Sequence, residues 1–214
     1  MEKIKETCYK GTRILLGDEK RDLINKMVGI LKENGYQEIQ IPIIQYQEMF
    51  NGKVGDENNN MMYNFKDRGD RDLCLAPEYT AVIQKLANTT FKNQKDVKVF
   101  YVSECFRGEK PQAGRFRQFT QLGVEVINGV GVIGLPELAY KLILQAVPDK
   151  TYNWLEENII LDRTATRGLD YYTEGKGFEI SCESLGSSKQ ICGGGEYEGG
   201  IGFAIGVDRL IEIN

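Results

Sequence analysis

The sequence predicts an α+β fold built on a mostly antiparallel sheet flanked by helices, and three observations lead there. Glu19 to Asn34 places Leu23, Ile24, Met27, Val28 and Leu31 on one stripe at helical spacing, with Gly35 as its stop. Val97 to Ser103 and Arg115 to Ile127 read as neighbouring antiparallel strands, joined by the turn-rich stretch Arg107 to Gly114. The C-terminal third reads as strands and closes on a glycine-rich strand that runs into a short helix from about Val207. Strands dominate and helices come at intervals, which is the α+β pattern.

The remaining elements follow in order. Tyr36 to Ile44 alternates, with Ile39, Ile41 and Ile43 on one face, so a strand is expected. Pro42 within it has no N–H to give a ladder, which places it at an edge or a subunit boundary. Asn51 to Asn60 is rich in Gly, Asp and Asn and reads as a loop. One helix is expected after Glu78 and another from Pro136, a favoured first-turn residue. Neither repeats nor a low-complexity linker interrupt the chain, so a single domain over residues 1–214 is the expectation.

Composition excludes several kinds of chemistry. The chain contains no histidine, which removes Ser-His-Asp and Cys-His catalysis and disfavours a zinc site of the usual kind. A formal charge of −4 argues against a broad basic surface for nucleic acid. No apolar run approaches the roughly 20 residues a membrane helix needs, and Met1 to Glu6 has no apolar stretch of a signal peptide. Cys8, Cys74, Cys105, Cys182 and Cys192 are odd in number and contain no Cys-x-x-Cys pair, so reduced thiols in a cytoplasmic compartment are expected. The working groups must therefore be Arg, Lys, Asp, Glu, Gln, Tyr and the backbone.

Three segments carry such groups. On a strand from Arg115, one face holds Phe116, Gln118, Thr120, Leu122, Val124 and Val126, and the other holds Arg115, Arg117, Phe119, Gln121, Gly123 and Glu125. That second row is either a solvent-facing strand or a ligand platform, with Arg for phosphate and carboxylate, a ring for a base, and Gln and Glu for an amino group or ring nitrogen. Arg107, near the end of the preceding strand, can reach the same place. Arg167 to Thr173 crowds one Arg, one Asp and two Tyr just before a strand near Phe178 to Ser181, where packing and chemistry both remain open. Gly200, Gly202, Ala204 and Gly206 form a strand face almost without side chains. Such a face suits close approach of a flat adenine ring or a tight helix–sheet contact, with Arg209 at the following helix start to meet a phosphate. It is not a P-loop, since Gly-Lys-[Ser/Thr] is missing.

Together these segments resemble the motifs of class II aminoacyl-tRNA synthetases, specifically the histidyl-tRNA synthetase family. FRGEKPQAGRFRQFTQLGVE at Phe106 to Glu125 is similar to the second motif, RGLDYYT at Arg167 to Thr173 to the histidyl signature, and GFAIGVDRL at Gly202 to Leu210 to the third motif. KGTR at Lys10 to Arg13, GYQEIQIP at Gly35 to Pro42 and LAPEYTA at Leu75 to Ala81 fall in the expected order upstream.

The resemblance implies a class II sheet fold, ATP-dependent activation of histidine to histidyl-adenylate with transfer to tRNA, ATP as substrate with Mg2+, and a homodimer. It implies that Arg107 holds the α-phosphate and the substrate carboxylate and that Arg167 stabilises charge at the α-phosphate. Phe119 would pack on adenine, and Arg209 would sit against adenine and the γ-phosphate, with Glu109 and Arg115 joining the ATP-binding set. Glu78, Thr80 and Gln121 would take the α-amino group, Glu125 and Tyr172 would read the imidazole, and Tyr171 would join that amino-acid-binding set. Pro42 would lie at the dimer interface.

The sequence departs from the family pattern in places. The stretch between the second motif and Arg167 is short, so the insertion domain that contacts tRNA is expected to be missing, as is an anticodon-binding domain. Ala76 stands where Leu-Arg-Pro-Glu has Arg, Gln45 replaces a Glu after the motif-one proline, and Glu196 stands where Gly-Gly-Arg-Tyr-Asp has Arg. Two other readings follow: a non-catalytic regulator like the regulatory subunit of ATP phosphoribosyltransferase, or an adenylating enzyme with an acceptor other than tRNA.

Overall fold

In a computed structural model, which describes residues 3–4, 8–51, 60–112, 114–129, 134–165, 172–186 and 189–213, the predicted α+β architecture is present. The apolar stripe of the first helix, α1 (Glu19–Glu33), buries Leu23, Met27 and Leu31, spaced four residues apart and therefore on one face. Each such burial contributes about 2 kcal/mol. The helix stops as expected. Gly35 takes φ +78°, the Gly35 N–H donates to Lys32 O at 3.1 Å, and the Tyr36 N–H donates to Leu31 O at 3.0 Å. This is a Schellman ending, and Tyr36 closes it by burying against the same core as Leu31.

A seven-stranded sheet organises the rest. Its strands are β3 (Gln37–Glu38), β7 (Val97–Phe106), β8 (Gln118–Ile127), β9 (Ile159–Asp162), β10 (Tyr172–Cys182), β11 (Gln190–Tyr197) and β12 (Gly200–Gly206), in the order β3-β7-β8-β12-β11-β10-β9. Only the short β3 runs parallel to its neighbour; all other pairings are antiparallel. Two small sheets stand beside it: β1 (Lys3–Ile4) with β2 (Ile14–Leu15), and β4 (Ile44–Tyr46), β6 (Asp72–Leu75) and β5 (Asn64–Lys66).

Alternation divides the side chains of the large sheet between two cores. Leu122, Val124 and Val126 of β8, Ile201, Phe203 and Ile205 of β12, and Phe178, Ile180 and Cys182 of β10 face α1, α3 (Leu135–Ala146), α4 (Asp149–Asn158) and α5 (Val207–Ile213). On the opposite face, Tyr101 and Cys105 of β7 and Ile127 of β8 pack with α2 (Thr80–Asn88), Phe50 and Cys74. The cover by α2 is partial, and the sheet beyond it is where the polar residues gather.

Three expectations need correction. The strand expected over Tyr36 to Ile44 is two short ones in different sheets, because the exposed Pro42 between them cannot extend either ladder. The strand expected from Arg115 begins at Gln118; Arg115 closes a tight turn with Gln112, so neither Arg115 nor Arg117 belongs to the strand face. The helix expected from Pro136 starts one residue earlier, at Leu135. Of the expected Asn51 to Asn60 loop, residues 52–59 lie outside the described residues.

Candidate active site

Within β8 the expected ligand row survives as Phe119, Gln121, Gly123 and Glu125, and it is not a solvent-facing row. Glu125 is only 1% exposed. Gly123 is glycine because the Tyr101 ring lies across it, leaving no room for a Cβ. Gly202, directly opposite Glu125 in register, is glycine because the Glu125 carboxylate fills the space a side chain would need. The glycine face of β12 thus splits into two parts. At Gly200 and Gly202 it is filled by Tyr197 and Glu125 of the protein itself, and only the Ala204–Gly206 end is left for a flat ligand, a narrower platform than the four-residue face expected.

At that end the cations converge. Arg107 follows β7 directly; its Nε donates to Pro77 O at 2.9 Å and its guanidinium stands 5.3 Å from the centre of the Phe119 ring. Glu109 is shared between Arg107, at 3.9 Å, and Arg115, at 3.5 Å. The latter pair is loose: Glu109 Oε2 and Arg115 Nε are both buried, and neither makes a hydrogen bond among the described residues. Arg209, in the first turn of α5, donates from Nε to Gly114 O at 3.0 Å and from a second nitrogen to Gln190 O. Burial holds its pKa below the usual arginine value, and the nearby Arg115 and Arg107 add to this, while Glu109 and Glu179 oppose it. Guanidinium is so basic that Arg209 keeps its charge. Three cations thus stand around a small volume at the open end of the sheet, as a polyphosphate requires.

The other end is dry and acidic. The Tyr197 hydroxyl donates to Glu125 Oε2 at 2.8 Å, while Glu125 Oε1 and the Tyr101 hydroxyl are buried without hydrogen-bond partners among the described residues. Burial pushes the Glu125 carboxyl up to about 8, with the negative Glu78 adding to it and the Tyr197 and Thr80 side chains offsetting part. Burial likewise raises the Tyr197 and Tyr101 phenols, each helped by Glu125. Tyr172 pairs in register with Tyr197 and so shares this face. A buried carboxyl oxygen and a phenol without hydrogen-bond partners among the described residues suit a polar ligand.

Between the two ends lie the other predicted residues. Glu78 accepts the N–H groups of Thr80, at 2.6 Å, and Ala81, at 3.0 Å, so its carboxylate caps the start of α2. Gln121 accepts the Cys105 thiol at 3.1 Å. The structure therefore brings together Glu78, Thr80, Arg107, Glu109, Arg115, Phe119, Gln121, Glu125, Tyr172 and Arg209 on one side of the sheet. Arg167 and Tyr171 lie outside the described residues. Glu196, which stands where the family pattern has Arg, is adjacent to Tyr197 on a strand and so points to the face opposite Glu125.

Sequence reasoning missed three residues. Tyr101 was read only as part of a strand. Tyr197 was passed over beside Glu196. Glu179 lies in a segment read only as a strand, although Phe178 and Ile180 turn to the core and alternation leaves Glu179 on the other face, with Glu125 and Tyr197. Glu109 and Glu179 are the carboxylates near Arg209 that suit Mg2+, a hard cation that keeps few protein ligands and takes the rest from phosphate oxygens. Glu109 Oε2, which makes no hydrogen bond among the described residues and only the loose ion pair with Arg115, fits that use.

Comparison with known proteins follows the same lines. The family model described as histidyl-tRNA synthetase matches residues 18–148, more than half of the chain. A histidine–tRNA ligase of Archaeoglobus fulgidus is 30% identical, with 95% of this chain and 75% of that protein covered. Among solved structures, apo histidyl-tRNA synthetase of S. aureus is 25% identical with a TM-score of 0.69, covering 97% of this chain and 70% of that one. An ATP phosphoribosyltransferase regulatory subunit/histidyl-tRNA synthetase from Bacillus halodurans shares the fold, with a TM-score of 0.72 at 16% identity over 98% of this chain and 83% of that one. With its second and third motifs on paired strands of one sheet, a family model matched over more than half of its length and a 30% identical relative aligned over 95% of it, this chain belongs to the histidyl-tRNA synthetase family.

Proposed function

We propose that this protein joins ATP and histidine to give histidyl-adenylate and pyrophosphate, with tRNA as the acceptor of the activated histidine. The observation that carries this reading is the division of one sheet face. Arg107, Arg115 and Arg209 stand at the open end, and the buried Glu125, with its unpartnered oxygen, lies at the other. Phe119 and Gln121 lie along β8 between them. A substrate with a polyphosphate at one end and a cationic or N–H-donating ring at the other spans that face.

The reaction is attack of the amino-acid carboxylate on the α-phosphorus, expelling pyrophosphate. It needs alignment and neutralisation of charge more than proton transfer, so a chain without histidine can perform it. Arg107 is suited to draw the two anions together, since its guanidinium offers donors beyond the Nε used on Pro77 O. Arg209 is suited to hold the distal phosphates, and by the family resemblance Arg167 adds charge at the α-phosphate. Mg2+, when bound, would neutralise phosphate charge, with Glu109 and Glu179 the carboxylates placed to hold it.

The test is ATP–pyrophosphate exchange with histidine and with each of the other amino acids. Exchange with histidine alone is expected. Exchange with a different amino acid overturns the Glu125 pocket assignment, and none from folded protein moves the function to a regulatory subunit. That second reading draws on the shared fold of the Bacillus halodurans protein, but the arginine set retained here favours catalysis.

A further inference from the structure

The segment Tyr9 to Arg13 enters the assignment above only as a sequence likeness, yet it grips both halves of the nucleotide end. On one side it holds the loop that carries Arg107, Glu109 and Arg115. The Arg117 N–H donates to Gly11 O at 2.7 Å, and the Arg117 side chain donates to the Tyr9 hydroxyl at 2.8 Å and to Lys10 O at 3.2 Å. The same guanidinium donates from Nε to Glu109 O at 3.0 Å, and the Arg107 N–H donates to Arg117 O at 3.0 Å. Arg117, expected on the strand face, is thus the rivet between the segment and the loop.

On the other side the segment holds α5. The Arg13 side chain is 10% exposed and packs its guanidinium 4.0 Å from the centre of the Phe116 ring. It donates to Asp208 Oδ1 at 2.8 Å, to Asp208 O at 3.3 Å and to Glu212 Oε1. Asp208 immediately precedes Arg209. Its second oxygen accepts the Thr120 N–H of β8, and Lys20 of α1 stands 3.4 Å away. A nearly buried aspartate with a guanidinium, an ammonium and a backbone N–H around it has little freedom to move. Gly11 sits at the narrowest point. It takes φ +89°, and a Cβ there would stand 2.9 Å from Cγ of both Arg117 and Pro111.

We propose that Tyr9–Arg13 is a positioning strap that ties the Arg107–Arg117 loop and the start of α5 into one unit, holding Arg107, Glu109 and Arg115 in register with Arg209. None of its contacts needs a substrate, so the strap sets the spacing of the cations before nucleotide arrives. Its effect on ATP rests on the adenylation reading; the tie itself does not.

The experiment compares wild type with Arg13→Ala, Arg13→Lys and Gly11→Ala, by amide hydrogen exchange of the free protein and by equilibrium dialysis of ATP with Mg2+. Arg13→Ala is expected to speed exchange in residues 104–120 and 205–213 together, leaving β10 and β11 at wild-type rates. It should also weaken ATP about tenfold, the size of losing one charged hydrogen-bond partner, with histidine affinity unchanged. Arg13→Lys should be intermediate, because an ammonium keeps the charge but cannot reach Asp208 and Glu212 as a fork. Gly11→Ala should loosen the loop and leave α5 protected. Faster exchange confined to residues 8–16, or spread evenly over the sheet, overturns the strap. So does an unchanged ATP affinity when both segments loosen. Should wild type hold no ATP at all, the adenylation reading falls alone, and the exchange pattern still decides the tie.

Discussion

The two ends of the ligand face solve opposite electrostatic problems. At the nucleotide end, three guanidiniums are held apart from one another by backbone carbonyls and by Glu109, with Arg115 still 41% exposed. At the amino-acid end, a single carboxyl is sunk among Tyr101, Tyr172 and Tyr197 and cannot ionise freely. The first end stores positive charge that an anion relieves. The second stores an unsatisfied acid that a proton-bearing ring relieves. On the adenylation reading, the first end is suited to an anion and the second to a ring that carries a proton.

The comparison breaks most sharply at Arg209. Its replacement by Ala removes a partly buried cation that the adenylation reading sets against the distal phosphates. Histidine-dependent exchange is expected to fall by about 100-fold or more. The fold should persist, because Arg209 donates to two backbone carbonyls, Gly114 O in a turn and Gln190 O at the start of β11, rather than packing among core residues. Steady-state exchange with a thermal melt as control decides it. Loss of activity together with loss of the cooperative melt would assign Arg209 to the scaffold instead.

A smaller effect sharpens the other end. The Glu125 carboxyl is raised to about 8 in the folded chain, against an ordinary value near 4.5. Between those values the native state holds a proton that the unfolded chain releases. The contribution of Glu125 to stability is therefore fully present below about 4.5 and is lost as pH rises through about 8. Glu125→Gln should flatten that slope in melting temperature. The same proton governs binding. Between the imidazole pKa of about 6.5 and the carboxyl value, free enzyme and free histidine together carry one proton, which their complex also carries. Affinity should be level there and fall about tenfold per pH unit above it, as a proton must then be taken up. Histidine dissociation constants from pH 6 to 9.5 measure this. A profile still level at pH 9.5 would remove the imidazole from Glu125.

Much of this was legible in the sequence, and the failures have a common physical cause. The α1 stripe, the Gly35 stop, the β7–β8 pair and the glycine strand running into a helix at Val207 are local patterns with a fixed period, and they read correctly. Alternation put Phe119, Gln121 and Glu125 on one face but left open whether solvent or a ligand meets it, and their roles came from the family resemblance. The period could not say where β8 begins, so Arg117 was given to the ligand row when its partners lie over 100 residues away in sequence, at Tyr9 and Lys10. Nor could it say what fills a glycine face. That Gly202 makes room for Glu125 is a fact about the neighbouring strand, invisible along β12 itself. Tyr101 and Tyr197 were missed for the same reason: a tyrosine's role depends on what stands opposite it.

The smallest effect belongs to the other side of α2, and it tests whether the two ends are assembled by one chain or by two. Ile44 and Tyr46, 54% and 47% exposed, line with Pro42 a cavity of about 510 Å3 that Ile39, Leu73, Val82 and Leu86 also line, and the neighbouring Ile43 is 38% exposed. Adjacent exposed apolar groups over a cavity are costly in water and suit a surface that a partner would cover. With Pro42 blocking further strand pairing, a second copy is the expected cover. Ile44→Asp should convert a dimer to a monomer in sedimentation while leaving the melt of the seven-stranded sheet in place, because Ile44 lies in the small three-stranded sheet. Histidine binding should change by less than about threefold, since Ile44 lies in the small three-stranded sheet and Glu125 in the seven-stranded one. A monomeric wild type would remove the interface from Pro42, and a dimer that survives Ile44→Asp would move it elsewhere. A monomer with histidine affinity lost would show that the acidic end, self-contained in its contacts, depends on its neighbour for its shape.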